Sequence, residues 1–84
     1  MQLIVLPQAA KALRKMPKRD AAALERKLST FAADPFGDHP WAKTLQGIDG
    51  VRVRHGDWRA VCEIRRQILT VIVVKVGNRK EVYK

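Results

Sequence analysis

Three shortages limit what this sequence can be. There is one cysteine, Cys62, so no internal disulfide framework can form, and one thiol cannot build a zinc site. A lone cysteine suits a reducing cytoplasm, which is the expected location. There is one serine, Ser29, inside a stretch with helical patterning, so no Ser-His-Asp arrangement can be argued. Acidic residues are scarce: 8 Asp and Glu face 17 Lys and Arg, a net charge of +9 on 84 residues. No apolar run is long enough to span a bilayer, and the opening MQLIVLPQ lacks the basic start and long apolar stretch of a signal peptide. His39 and His55 stand apart, and the glycines are scattered rather than gathered into a phosphate loop. The expectation is one domain over residues 1–84, with no metal and no cofactor.

What the chain does have is cations, and they sit on strands. Residues 51–54 alternate Val51 and Val53 with Arg52 and Arg54. Residues 58–64 put Trp58, Ala60, Cys62 and Ile64 on one face and Arg59, Val61 and Glu63 on the other. Residues 68–76 are apolar on both faces apart from Thr70 and Lys75. Period-two alternation marks a half-buried strand, and a two-sided apolar run marks a central one. His55-Gly56-Asp57 and Arg65-Arg66-Gln67 are short enough to be hairpin connections. Residues 77–84 then form a short polar tail.

Upstream, residues 2–6 read as a first strand, stopped by Pro7, which can open a helix because its missing N–H costs nothing there. Ala9, Ala10, Leu13 and Met16 follow helical spacing, and Pro17 ends that helix. A second helix spans residues 18–33, with Ala21, Leu24, Leu28 and Phe31 as its apolar stripe and Asp20 in its first turn. Asp34-Pro35 stops it, since the residue before a proline avoids the helical region. Residues 35–50 read as a loop anchored by Phe36, Trp41, Leu45 and Ile48. Trp41 could offer a stacking platform to a nucleic-acid base, but packing is the simpler role for a loop aromatic.

The order strand, helical hairpin, loop, three-stranded antiparallel meander gives an α+β domain. Two helices cover one face of a four-stranded sheet, and the first strand pairs with residues 68–76. The other face or its rim is left for Arg52, Arg54, Arg59, Lys75 and the tail. A charge of +9 on so small a domain favours a polyanionic partner. No helix combines a basic face with a broad aromatic one, which argues against a membrane surface. Arginine is always charged and matches phosphate oxygens in two-point contact. Cleavage of RNA by its own 2′-hydroxyl builds negative charge on the phosphate, and fixed arginines lower that barrier. The proton needs another acceptor. Tyr83, the only tyrosine, has a reference pKa of about 10, and neighbouring cations favour its phenolate. Arg59, Arg79 and Tyr83 could thus form a metal-free nuclease site, although arginine-rich strands are more often a solvated or nucleic-acid-binding face.

The stretches AAKALRKMPKR, TLQG, VRVRHGDWRAVCEI, ILTVIVVKVGNR and EVY resemble, in order, the RelE/ParE superfamily of bacterial toxins, and within it the RelE-type mRNA endoribonucleases. The resemblance covers most of the chain. It implies the fold just described, metal-independent cleavage of mRNA with a 2′,3′-cyclic phosphate product, commonly on the 70S ribosome, and an acidic antitoxin partner. The family's G-x-[YW]-R arginine falls on Arg59, the arginine after V-G on Arg79, and the near-terminal tyrosine on Tyr83. Basic residues of the preceding strand match Arg52 and Arg54, and Lys43, Lys75 and Lys80 complete the expected RNA-binding set. Two departures stand out. Gly50 occupies a position where some members have lysine, and Asn78 one where many have histidine, so His55 is a second candidate for the proton transfer. ParE-type members share the fold but bind DNA gyrase, and a non-catalytic RNA-binding module is a third reading.

Overall fold

A computed structural model describes residues 1–47 and 49–82, the last two as backbone only. The elements are β1 (Gln2–Val5), α1 (Pro7–Lys15), α2 (Lys18–Ala33), β2 (Ala42–Thr44), β3 (Gly50–His55), β4 (Trp58–Arg65), β5 (Thr70–Asn78) and α3 (Arg79–Val82). The strands form one sheet in the order β1-β5-β4-β3-β2. The class is α+β as expected, and β1 does pair with the central strand, running parallel to β5 from Gln2 opposite Thr70 to Val5 opposite Val73. Both helices keep the predicted positions: Pro7 opens α1, and Asp34 leaves the helical region at φ −150°, ψ 72° ahead of Pro35.

The sheet has five strands, not four. The stretch expected to be all loop contributes β2, whose Ala42, Lys43 and Thr44 pair with Val53, Arg52 and Val51. Three residues are too few to show a period, so the strand is made by β3 offering a free edge rather than by its own pattern. The third meander strand also starts later and ends later than residues 68–76. Arg66–Ile68 form a turn of 3-10 helix, and Leu69 takes a left-handed φ of 51°, so Ile68 and Leu69 are both 64% exposed. At the other end Gly77 and Asn78 belong to β5, and the polar tail turns helical from Arg79. Between β3 and β4 the connection is two residues, Gly56 and Asp57, with Gly56 at φ 57°, the type II′ geometry that suits the twist of a hairpin.

The core lies between the sheet and the helices. Leu24, Leu28 and Phe31 of α2 and Ala9 and Leu13 of α1 meet Val53, Ala60, Cys62, Val71 and Val73. Cys62 is buried, and desolvation pushes its thiol up to about 12, so it is a packed group rather than a nucleophile. Of the expected loop anchors, Trp41 packs on the core and Leu45 is half-buried. Phe36 is not an anchor: it is 60% exposed and carries the Arg66 guanidinium 4.7 Å from its ring. Ile48 lies outside the described residues.

Candidate nucleic-acid interface

The register of the sheet gathers the predicted cations. Residues directly opposite each other share a face. One row across the strands is Lys43, Arg52, Val61 and Lys75, and the next is Arg54, Arg59 and Gly77. All five basic residues therefore stand on the face away from the helices. The neighbouring positions Val51, Val53, Ala60 and Cys62 are buried on the helix side.

Lys75 reaches this face only because of a bulge. Strict alternation from Val71 and Val73 would send residue 75 into the core. The register slips between Val61 and Cys62, whose partners are Lys75 and Val73, so Val74 has no opposite residue. The extra residue turns Lys75 outward and Val76 inward. The Val74 carbonyl accepts a hydrogen bond from Gln8 Nε2 of α1 at 2.6 Å. Burying an unpaired ammonium is far costlier than one irregular ladder rung.

Two pairs in these rows, Lys43–Arg52 and Arg54–Arg59, set like charges directly across from each other. Such pairs destabilise a sheet. The nearby carboxylate on this face, Glu63, is engaged by Arg65 at 2.7 Å. A concentration of like charge on one sheet face suits a polyanion.

Arg59 is held close to its own hairpin. Its Nη1 donates to the Gly56 carbonyl at 2.5 Å and to the Trp58 carbonyl at 3.0 Å. Its Nε is buried and finds no partner among the described residues. The opposite residue, Gly77, adds no side chain beside it. Arg79 and Lys80 begin α3, which is tied to the same hairpin: the Arg79 N–H donates to the Asp57 carbonyl at 2.7 Å. Asn78 caps the helix, its Oδ1 accepting from the Lys80 N–H at 3.2 Å. Asp57, Asn78, Arg79 and Lys80 together line an open cavity. The structure thus brings Arg59 and the backbone of Arg79 to one end of the sheet. Tyr83 lies outside the described residues.

His55 is not where a base for this face would stand. Nor does it belong to the hairpin connection expected over residues 55–57: it ends β3 on the helix side. Its Nε2 is 3.4 Å from Asp20 Oδ1, and Lys27 Nζ is 3.3 Å from its Nδ1. Asp20, read as a helix-dipole residue, therefore has a second role that no sequence spacing showed. Lys27, absent from the predicted set, reaches past the end of β2 to the Arg54 carbonyl at 3.1 Å. It was hidden in the sequence because it sits on the polar side of an ordinary amphipathic helix.

A basic sheet face opposite a helical hairpin, closed by a short terminal helix, defines a small α+β domain of one recognisable class. Residues 3–83 match the model of the ParE toxin of type II toxin–antitoxin systems, parDE, and the chain belongs to that family, within the RelE/ParE superfamily. No curated protein matches it. Among solved structures it is similar to the isolated E. coli RelE toxin, with 26% identity, 98% of this chain and 89% of that chain covered, and a TM-score of 0.79. The intact E. coli RelBE toxin–antitoxin complex matches at 24% identity over 92% of this chain and 94% of that one, TM-score 0.77. The RelBE2 toxin–antitoxin complex of Mycobacterium tuberculosis matches at 22% identity over 93% and 96%, TM-score 0.76.

Proposed function

We propose that this toxin is an endoribonuclease that cuts mRNA on the ribosome and so stops translation. The observation that carries the reading is the gathering of cations by the sheet register, Arg54 opposite Arg59 and Arg52 opposite Lys43 with Lys75 in the same row, on one open face. Such a face binds a phosphodiester chain and stabilises charge that grows on one phosphate. In the reaction the 2′-oxygen loses its proton and attacks phosphorus. The 5′-oxygen leaves with a proton, giving a 2′,3′-cyclic phosphate and a 5′-hydroxyl. Arg59 and Arg79 neutralise the phosphorane, and the fixed charge of the guanidinium groups allows the step without a metal ion. With His55 turned to the helices, Tyr83 is the residue assigned to proton transfer.

The family-model match favours a second reading, in which the toxin binds DNA gyrase as ParE-type members do. Mapping mRNA 5′ ends after induction in cells separates the two. Cuts within coding sequences support the nuclease. DNA-damage signalling with intact mRNA supports gyrase binding. RNA binding with neither effect leaves a module without catalysis.

An acidic antitoxin is the proposed regulator. The similar structures include complexes of RelE toxins with RelB antitoxins, and a +9 chain suits an acidic wrapping segment. Co-expression with the product of the adjacent gene should give a complex at low salt. Failure of the two to associate there removes this partner.

A further inference from the structure

Where β2 begins, the cation face turns a corner into a small cavity of about 260 Å³. It is lined by Lys27, Pro40, Trp41, Arg54 and Gly56. That volume falls below the roughly 300–1,000 Å³ of sites that enclose a whole drug-sized ligand, and suits one ring system. The lining combines a flat indole and an apolar pyrrolidine ring with two cations. Single-stranded RNA is recognised in this way, its bases stacking on aromatic rings while nearby Lys and Arg hold its phosphates.

Trp41 is braced for such a role. His39 stacks on the indole with centroids 4.8 Å apart and planes at 28°. His39 is in turn fixed, with Nε2 2.6 Å from the Asp34 carbonyl oxygen and its ring edge-on to the core residue Phe31 at 5.7 Å. The Trp41 carbonyl accepts from the Arg54 N–H at 2.9 Å, which ties the indole's backbone to the strand carrying the cation face. Lys27 Nζ stands 6.0 Å from the indole centroid, the outer limit of a cation–π contact, so a base could take that place at little cost. A platform fixed before binding loses little entropy when it is used.

We infer that this cavity is a nucleobase subsite. It takes the base of a nucleotide next to the phosphate held over Arg59, with Trp41 and Pro40 stacking on the base and Arg54 and Lys27 holding the flanking phosphate. This rests on the RNA reading above and adds the contact that a cation face alone lacks, one made to a base. Trp41 is thus both the packed loop aromatic and the stacking platform.

The test uses a short 2′-O-methyl RNA, which cannot be cleaved, and inorganic polyphosphate, which offers phosphates without bases. Binding is followed by isothermal titration calorimetry, and stacking by the fluorescence of Trp41 in a Trp58→Phe background, both at low salt. RNA should quench the indole, and polyphosphate should bind without quenching. Trp41→Ala should weaken RNA binding about tenfold and Trp41→Phe less than about threefold, with polyphosphate affinity unchanged in both. RNA that binds with no quenching overturns the subsite and leaves the nuclease reading standing, and the unmodified indole reports this even if Trp41→Ala does not fold. RNA that fails to bind while polyphosphate does removes both readings. Equal quenching by the two ligands also overturns the subsite, because the signal then reports charge and not stacking.

Discussion

Strand β4 carries two kinds of surface in one run of eight residues. Ala60, Cys62 and Ile64 point into the helices and are buried, while Arg59, Val61 and Glu63 point the other way and are half-exposed. Along β4 the inner face follows the rules of stability: apolar contact around one buried thiol. The outer face breaks them, with cations paired across strands. A sheet that places like charges opposite one another has something other than its own stability to serve. On the proposed reading the inner face accounts for the fold and the outer face for the function, so each should be alterable without the other.

Substitution on the inner face should give the largest effect on stability. Phe31 is 1% exposed at the centre of the core. Phe31→Ala should cost about 3–5 kcal/mol in urea unfolding. A loss below about 1 kcal/mol would show that the core does not depend on α2 as described.

Tyr83→Phe should leave that unfolding curve unchanged and lower single-turnover cleavage by roughly a hundredfold, the usual scale for a proton-transfer group. Unchanged cleavage would assign the hydroxyl no chemical part. Under chelation the wild-type toxin should cut at its normal rate, provided the ribosomes are shown to remain intact.

These two variants also mark what the sequence made legible. Helical spacing alone places Phe31 in the core, and alternation in residues 51–54 and 58–64 gives the arginine face, because both are local periodic signals. What escaped depends on tertiary context. Ala42–Thr44 became a strand because an edge was free beside it. Lys75 came to the outer face through a bulge that no composition announces. His55 left the candidate site because Asp20 and Lys27, 35 and 28 positions away along the chain, hold it on the inner side. The Arg59–Arg79–Tyr83 set rests on arginine and phenol chemistry sharpened by resemblance, and among the described residues the structure brings Arg59 and the start of α3 together.

Alkaline pH should expose the buried thiol on the inner face of β4. Cys62 ionises near 9.0 in the unfolded chain and at about 12 in the folded one. Below 9.0 both states hold the proton and stability is unaffected. Between the two values the unfolded chain gives up its proton first, so stability falls as pH rises. By about pH 10.5 the loss should reach about 2 kcal/mol relative to Cys62→Ala, measured by denaturation of both proteins at pH 8 and 10.5. Parallel curves for the two would mean that the thiol is reached by water.

The smallest effect should come from relieving the outer face. Arg54→Gln removes one like-charge pair with Arg59. Stability should stay level or rise by up to about 0.5 kcal/mol, while RNA binding weakens and its dependence on salt becomes shallower by about one phosphate contact. Destabilisation by more than about 1 kcal/mol would mean that the cation face holds the fold together.

The central claim is that the outer face acts on RNA and is dispensable for folding, and Arg59→Ala tests it most directly. Single-turnover cleavage on programmed ribosomes and urea unfolding are measured on the same protein. The account predicts cleavage reduced by a few hundredfold, the equivalent of roughly 3 kcal/mol of transition-state stabilisation, with the unfolding midpoint within error of wild type. Wild-type cleavage by a folded Arg59→Ala protein would contradict it.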